Sequence, residues 1–149
     1  QNVMKGYFNN EDATQAVMDK DGWFHTGDMG TRNPDGTLFL RGRCKSMILS
    51  ASGQNIYPEE LEARLNDMPF VAESLVVDRG GKITALIYPD AEALESRNIP
   101  ADKVELLMEK IRAKVNSRLA PYERIAAVEI MKEEFKKTPK RSIKRYMYI

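Results

Sequence analysis

Apolar residues along this chain change their pattern near residue 43. Across residues 7–36 no regular period is visible. Asn9-Asn10, Asp21-Gly22, Asn33-Pro34 and Asp35-Gly36 are turn signals, and only residues 13–18 read as a short helix. Thr37-Leu38-Phe39-Leu40 and Ser46-Met47-Ile48-Leu49 read as two short strands around a turn at Arg41-Gly42-Arg43. A small-residue loop over 50–55 leads into a helix at 58–66. Proline suits its first turn, Glu59 and Glu60 favour the positive end of the helix dipole, and Leu61 and Leu65 share a face. Two Val/Ile/Leu-rich strands are expected at 74–78 and 83–88, joined by a hairpin turn at Arg79-Gly80-Gly81-Lys82. The longest helix is expected over 103–119, opened by a capping box of Asp102 with Glu105 and ended by Pro121. Val104, Leu107, Met108, Ile111, Val115 and Leu119 form its apolar stripe. A strand at 126–131 and a Lys/Arg-dense tail at 132–145 follow.

From Cys44 onward the order is strand, helix, strand, strand, helix, strand. That order predicts an α+β domain, a mostly antiparallel sheet with helices packed on it. The boundary falls between a loop-rich segment, 1–43, and a domain, 44–149. A length of 149 residues fits one domain with an appendage. Lys plus Arg number 23 and Asp plus Glu 22, a net charge of +1, which excludes a whole-molecule electrostatic grip on nucleic acid. The single Cys44 excludes an intramolecular disulfide and a Cys-built zinc site, and with the single His25 no metal site is expected. No apolar run approaches the roughly 20 residues that span a bilayer. The start, Gln1-Asn2-Val3-Met4-Lys5-Gly6, carries no signal peptide and reads as the middle of a longer chain.

Four segments carry candidate chemistry. In Gly22-Trp23-Phe24-His25-Thr26-Gly27-Asp28, a carboxylate after a Thr-Gly turn is placed to accept hydrogen bonds from a diol such as a ribose; the plain alternative is an Asx-type turn with Trp23 as a core anchor. In Gly42-Arg43-Cys44-Lys45, Arg43 offers planar donors to a phosphate or ribose edge; the alternative is a hairpin turn with two solvated cations. The run Ser52-Gly53-Gln54-Asn55-Ile56-Tyr57-Pro58 lets a ligand pass close to backbone, or is only a loop into a helix. The run from Lys136 to Arg145 could neutralise phosphates, with Tyr146 and Tyr148 able to stack bases, or could be a solvated tail.

In order, these motifs resemble the end of an adenylate-forming enzyme, the superfamily of acyl-CoA synthetases, firefly luciferase and peptide-synthetase adenylation domains. Met4-Lys5-Gly6-Tyr7-Phe8-Asn9-Asn10 with Asp21-Gly22-Trp23 resembles the segment before its ribose site, Thr26-Gly27-Asp28 its Thr-Gly-Asp motif, and Gly42-Arg43-Cys44-Lys45 with residues 53–62 its hinge. The loop over 46–53 and Gln54-Asn55-Ile56-Tyr57-Pro58 are most similar to long-chain fatty acid CoA ligases.

The resemblance implies that residues 1–43 are the edge of a large ATP-binding domain and 44–149 the mobile small domain. Asp28 and Arg43 would bind the nucleotide and Lys45 would be the hinge. Ser52, Gly53 and Gln54 would line the CoA channel. ATP/AMP, CoA and Mg²⁺ are the implied cofactors, with Mg²⁺ held mainly by the missing large domain, and a fatty acid is the implied substrate. The family's late motif reads Pro-Lys-Thr-x-Ser/Thr-Gly-Lys-Ile-x-Arg. Aligned on Lys137-Thr138 and Ile143-x-Arg145, its adenylation lysine falls on Ser142, leaving Lys140 and Lys144 as candidate cations. The 149 residues alone are expected to be inactive, the parent cytoplasmic with a peripheral membrane contact open to it, and nucleic acid is not an expected partner. Two rivals stay open: an adenylation domain loading an amino or aryl acid onto a carrier protein, and a stand-alone nucleic-acid-binding module using the basic tail.

Overall fold

In a computed structural model that describes residues 2–149, the chain forms two compact units, one ending at Lys45 and the other Ser46–Ile149. The first carries α1 (Glu11–Gln15) and an antiparallel pair, β1 (Asp28–Arg32) with β2 (Leu38–Arg43). Asn10 caps α1 by accepting the Ala13 N–H at 3.0 Å, so the helix starts earlier than the expected 13–18. Residues 41–43 are not a turn. They lie inside β2 and pair with β1, a strand whose polar, glycine-containing sequence gives no alternating signal. Gly30 belongs at the bulge of this pair, because a Cβ there would stand 2.9 Å from the Phe39 carbonyl oxygen. Trp23 is 72% exposed, so it anchors no core within this unit.

The second unit runs β3 (Ile48–Leu49), β4 (Asn55–Ile56), α2 (Pro58–Asn66), β5 (Val71–Asp78), β6 (Ile83–Pro89), α3 (Ala91–Ser96), α4 (Ala101–Asn116) and β7 (Ala127–Ile130). β3 and β4 form a small antiparallel pair; the main sheet has the order β5-β6-β7. β5 and β6 pair antiparallel and β6 and β7 parallel. Among the described residues this is the one departure from antiparallel pairing, and the α3–α4 crossover is what a parallel neighbour requires.

The near-continuous apolar runs of β5 and β6 are buried on both faces. Val76, Ala85 and Ile87 face Leu61 and Leu65 of α2 and Met108, Ile111 and Val115 of α4. Leu75, Val77 and Leu86 face the other way, onto Phe135, with Ile143 and Tyr148 packed alongside. The basic tail is therefore the second layer of the domain rather than a solvated run. Phe135 and Tyr148 meet edge to face at 5.2 Å, and the Tyr148 hydroxyl accepts the Lys136 N–H at 2.8 Å.

The expected capping box of α4 is absent: the helix opens after Pro100 with no side-chain cap, which puts Asp102 in its first turn. It ends at Asn116 rather than 119. The Asn116 amide there accepts the Ile125 N–H and donates to the Ile125 carbonyl, both at 2.9 Å, tying the connection to β7.

Candidate functional site

In the first unit, Gly27 takes φ +76°, a left-handed conformation that glycine adopts without a Cβ penalty, and turns the chain into Asp28. The Thr26 hydroxyl then accepts the Asp28 N–H at 3.2 Å. Asp28 opens β1 directly across from Arg43, the last residue of β2. The Arg43 guanidinium donates to Asp28 Oδ1 and, at 3.2 Å, to the Thr26 carbonyl. Two of the sequence-predicted nucleotide residues are thus one ion pair on a strand-paired platform. An ionised carboxylate has about four lone-pair sites, and a guanidinium five donors, so the pair keeps capacity for a diol and an anion.

Arg43 holds the Asp28 carboxyl below the ordinary carboxylate range, with the Thr26 hydroxyl adding to the effect. The contribution of the pair is present above the ordinary carboxylate pKa and disappears as pH falls through the lowered value. Carboxyl-carbon NMR is expected to show Asp28 titrating below a free aspartate, and Arg43→Met to return it to the ordinary range. An unchanged titration in Arg43→Met would show that the pair does not form.

Lys45 is the last residue of the first unit, so the boundary between units falls immediately after the proposed hinge residue. In the second unit, Ser52, Gly53 and Gln54 form the β3–β4 turn. Gly53 takes φ +77°, the Gln54 N–H donates to the Ser50 hydroxyl at 2.9 Å, and the Ser50 and Ser52 hydroxyls lie 3.0 Å apart. The turn borders a groove of about 410 Å³. Ser52, Lys82, Tyr122 and Arg124 line it, with Asp78 on the same wall. Sequence reading missed these last four. Lys82 sat in a plain hairpin turn, and Tyr122 and Arg124 followed a proline taken only as a helix stop.

The tail closes a hairpin, with Lys137 bridged to Ile143. The Thr138 N–H donates to the Ser142 carbonyl at 2.8 Å and the Arg141 N–H to the Thr138 carbonyl at 2.9 Å. Arg141 takes φ +63°, the left-handed value that suits the glycine of the motif it aligns with. Lys140 stands at the exposed tip; Lys144 is half-buried on the returning strand, its N–H bonded to the Lys136 carbonyl at 2.8 Å. The run is not a free cationic surface. Lys137 lies 2.5 Å from Glu73, and Arg145 donates to Glu62 at 2.8 Å. Burial pushes the Glu62 carboxyl above its ordinary range, with Arg145 pulling the other way.

The sequence model of the family described as "AMP-binding enzyme C-terminal domain" matches residues 45–149. The chain belongs to that family. An indoleacetate–CoA ligase of Aromatoleum aromaticum is 44% identical to this AMP-binding C-terminal domain chain over 113 residues, 72% of this chain and 21% of the relative. A long-chain-fatty-acid–CoA ligase of Mycobacterium tuberculosis, FadD15, is 44% identical over 94 residues, 62% of this chain and 16% of the relative. The structure of the O-succinylbenzoate–CoA synthetase of Bacillus subtilis in complex with ATP and magnesium superposes with a TM-score of 0.76. It is 30% identical, covering 97% of this chain and 28% of that one. The matches thus span about a fifth of the length of these curated relatives. The expected family and fold class are borne out.

Proposed function

We propose that this chain is the C-terminal part of an ATP-dependent acyl-CoA synthetase, with residues 1–43 the edge of a large domain and the rest its mobile small domain. The match of residues 45–149 to the family carries the reading, and the Asp28–Arg43 platform supports it. A carboxylate attacks the α-phosphorus of ATP and pyrophosphate leaves, giving the acyl-adenylate. The CoA thiolate then attacks the acyl carbon and AMP leaves. Asp28 accepts the ribose hydroxyls through both steps and Arg43 fixes that carboxylate. A cation at the hairpin tip, Lys140, stabilises the negative charge that gathers around phosphorus. Rotation about Lys45 removes the tip and brings up the turn of Ser52, Gly53 and Gln54, where CoA passes. Lys82 and Arg124 suit the phosphates at the far end of CoA. Among the described residues no group of three or more His, Cys, Asp or Glu is placed to hold a metal ion, so the reading assigns Mg²⁺ to ATP and the large domain.

A long-chain fatty acid is the first candidate substrate, on the loop over 46–53 and the likeness to FadD15; an arylacetic acid is the second, on the equal identity of the indoleacetate relative. The protein carrying this chain is expected to release AMP from Mg-ATP only when both an acid and CoA are present. A ladder of fatty acids beside aryl acids names the substrate. AMP release that needs a carrier protein instead of CoA transfers the reading to an adenylation domain, and no release with any acid overturns it.

A further inference from the structure

One guanidinium ties the tail to the rest of the small domain. Arg145 Nη2 donates to Oε1 and Oε2 of Glu62 at 2.8 and 2.9 Å, and its Nη1 donates to the Val76 carbonyl at 2.8 Å. Glu62 Oε1 also accepts the Val76 N–H at 2.7 Å. β5 is an edge of the sheet, and in an antiparallel strand alternate residues turn both backbone groups away from their partner. At Val76 those two groups are met by the carboxylate of α2 and the guanidinium of the tail. The Arg145 and Glu62 side chains are only 19% and 13% exposed. Glu59 adds a second carboxylate 3.8 Å from Nη2, with its Oε2 buried and unbonded. Arg145 is thus the counter-charge for two half-buried carboxylates, and its planar fork matches a carboxylate and a carbonyl at once.

The hairpin begins beside this lock. Ile143, two residues before Arg145, packs with Phe135 against the sheet, and the Lys144 N–H returns to the Lys136 carbonyl. The base of the hairpin is fixed and its tip, residues 139–142, is exposed.

We propose that Arg145, clamped between Glu62 and the edge of β5, is the positioning residue of the adenylation step: it fixes the base of the tail hairpin so that Lys140 is presented to the nucleotide phosphates at one place. This rests on the adenylating reading above. A displacement of about 1 Å at a reacting centre costs up to roughly 100-fold in rate, so a loosened base is felt at the tip.

The test uses the complete protein with Arg145→Met, Arg145→Lys and Glu62→Gln. Acid-dependent pyrophosphate release is measured beside AMP release from supplied acyl-adenylate and CoA, with amide hydrogen exchange on each variant. Arg145→Met is expected to slow pyrophosphate release by about 100-fold and leave the CoA step nearly unchanged. Exchange over residues 136–144 rises while β6 stays protected. Arg145→Lys, which keeps the charge without the fork, and Glu62→Gln fall between wild type and Arg145→Met. Equal slowing of both half-reactions with exchange rising across the whole sheet would reduce Arg145 to a structural residue and overturn the proposal. Unchanged exchange at 136–144, or unchanged pyrophosphate release in Arg145→Met, overturns it alone. Wild-type protein that releases no pyrophosphate with any acid overturns the adenylating reading and the proposal with it.

Discussion

Lys140→Ala is expected to slow acid-dependent pyrophosphate release by about 100- to 1000-fold, the effect of removing one preorganised charge from a phosphoryl or acyl transition state. Lys140 is favoured over Lys144 because it stands exposed at the hairpin tip, whereas Lys144 is half-buried on the returning strand. Lys144→Ala is therefore expected to have a much smaller effect. The CoA step, started from supplied acyl-adenylate, is expected to stay near its wild-type rate in both variants. Ser142→Lys, which restores the charge where the family motif carries it, is expected to rescue Lys140→Ala. A Lys140→Ala protein with wild-type pyrophosphate release, beside an inactive Lys144→Ala, would move the assignment to Lys144.

The second large effect concerns stability. Leu65 is 0% exposed and sits in the cluster shared by α2, α4 and the sheet. Leu65→Ala removes buried methyl groups from a site walled by two helices and a sheet, so the cavity cannot readily collapse. A loss of about 2–5 kcal/mol is expected in urea unfolding of the chain, against ~0.5 kcal/mol or less for Leu106→Ala. Leu106 lies on the same element, α4, but is 53% exposed. Equal losses for the two variants would mean that the cluster is not the core.

The elements most legible in the sequence were those whose pattern is local. α2 has the bounds the proline, the acidic pair and the Leu61–Leu65 spacing indicate. β5 and β6 follow their Val/Ile/Leu runs, lengthened at one or both ends by pairing. What escaped depends on residues far apart in the chain. β1 is polar and contains glycine, so only its pairing with β2 makes it a strand. That pairing also joins Asp28 to Arg43, fifteen positions away, and converts two weak motifs into one platform. The tail misled for the same reason. Phe135, Ile143 and Tyr148 share no period, because a hairpin brings them together, and the lysines between them read as a solvated run. Arg145 was legible as the end of a motif, but its partner Glu62 lies on another element and nothing in the spacing announces it.

The tail's place as the second layer also has a consequence for biosynthesis. Leu75, Val77 and Leu86 leave the ribosome before Phe135, Ile143 and Tyr148 exist to cover them. At a usual elongation rate that interval is roughly 2 to 10 s, long compared with the folding of a small domain. During it the nascent sheet carries helices on one side and a bare aliphatic side on the other, beside an edge strand without its clamp. Such a species is a natural client for a holdase chaperone. A ribosome stalled before residue 135 is the stage at which that nascent chain is most prone to aggregate.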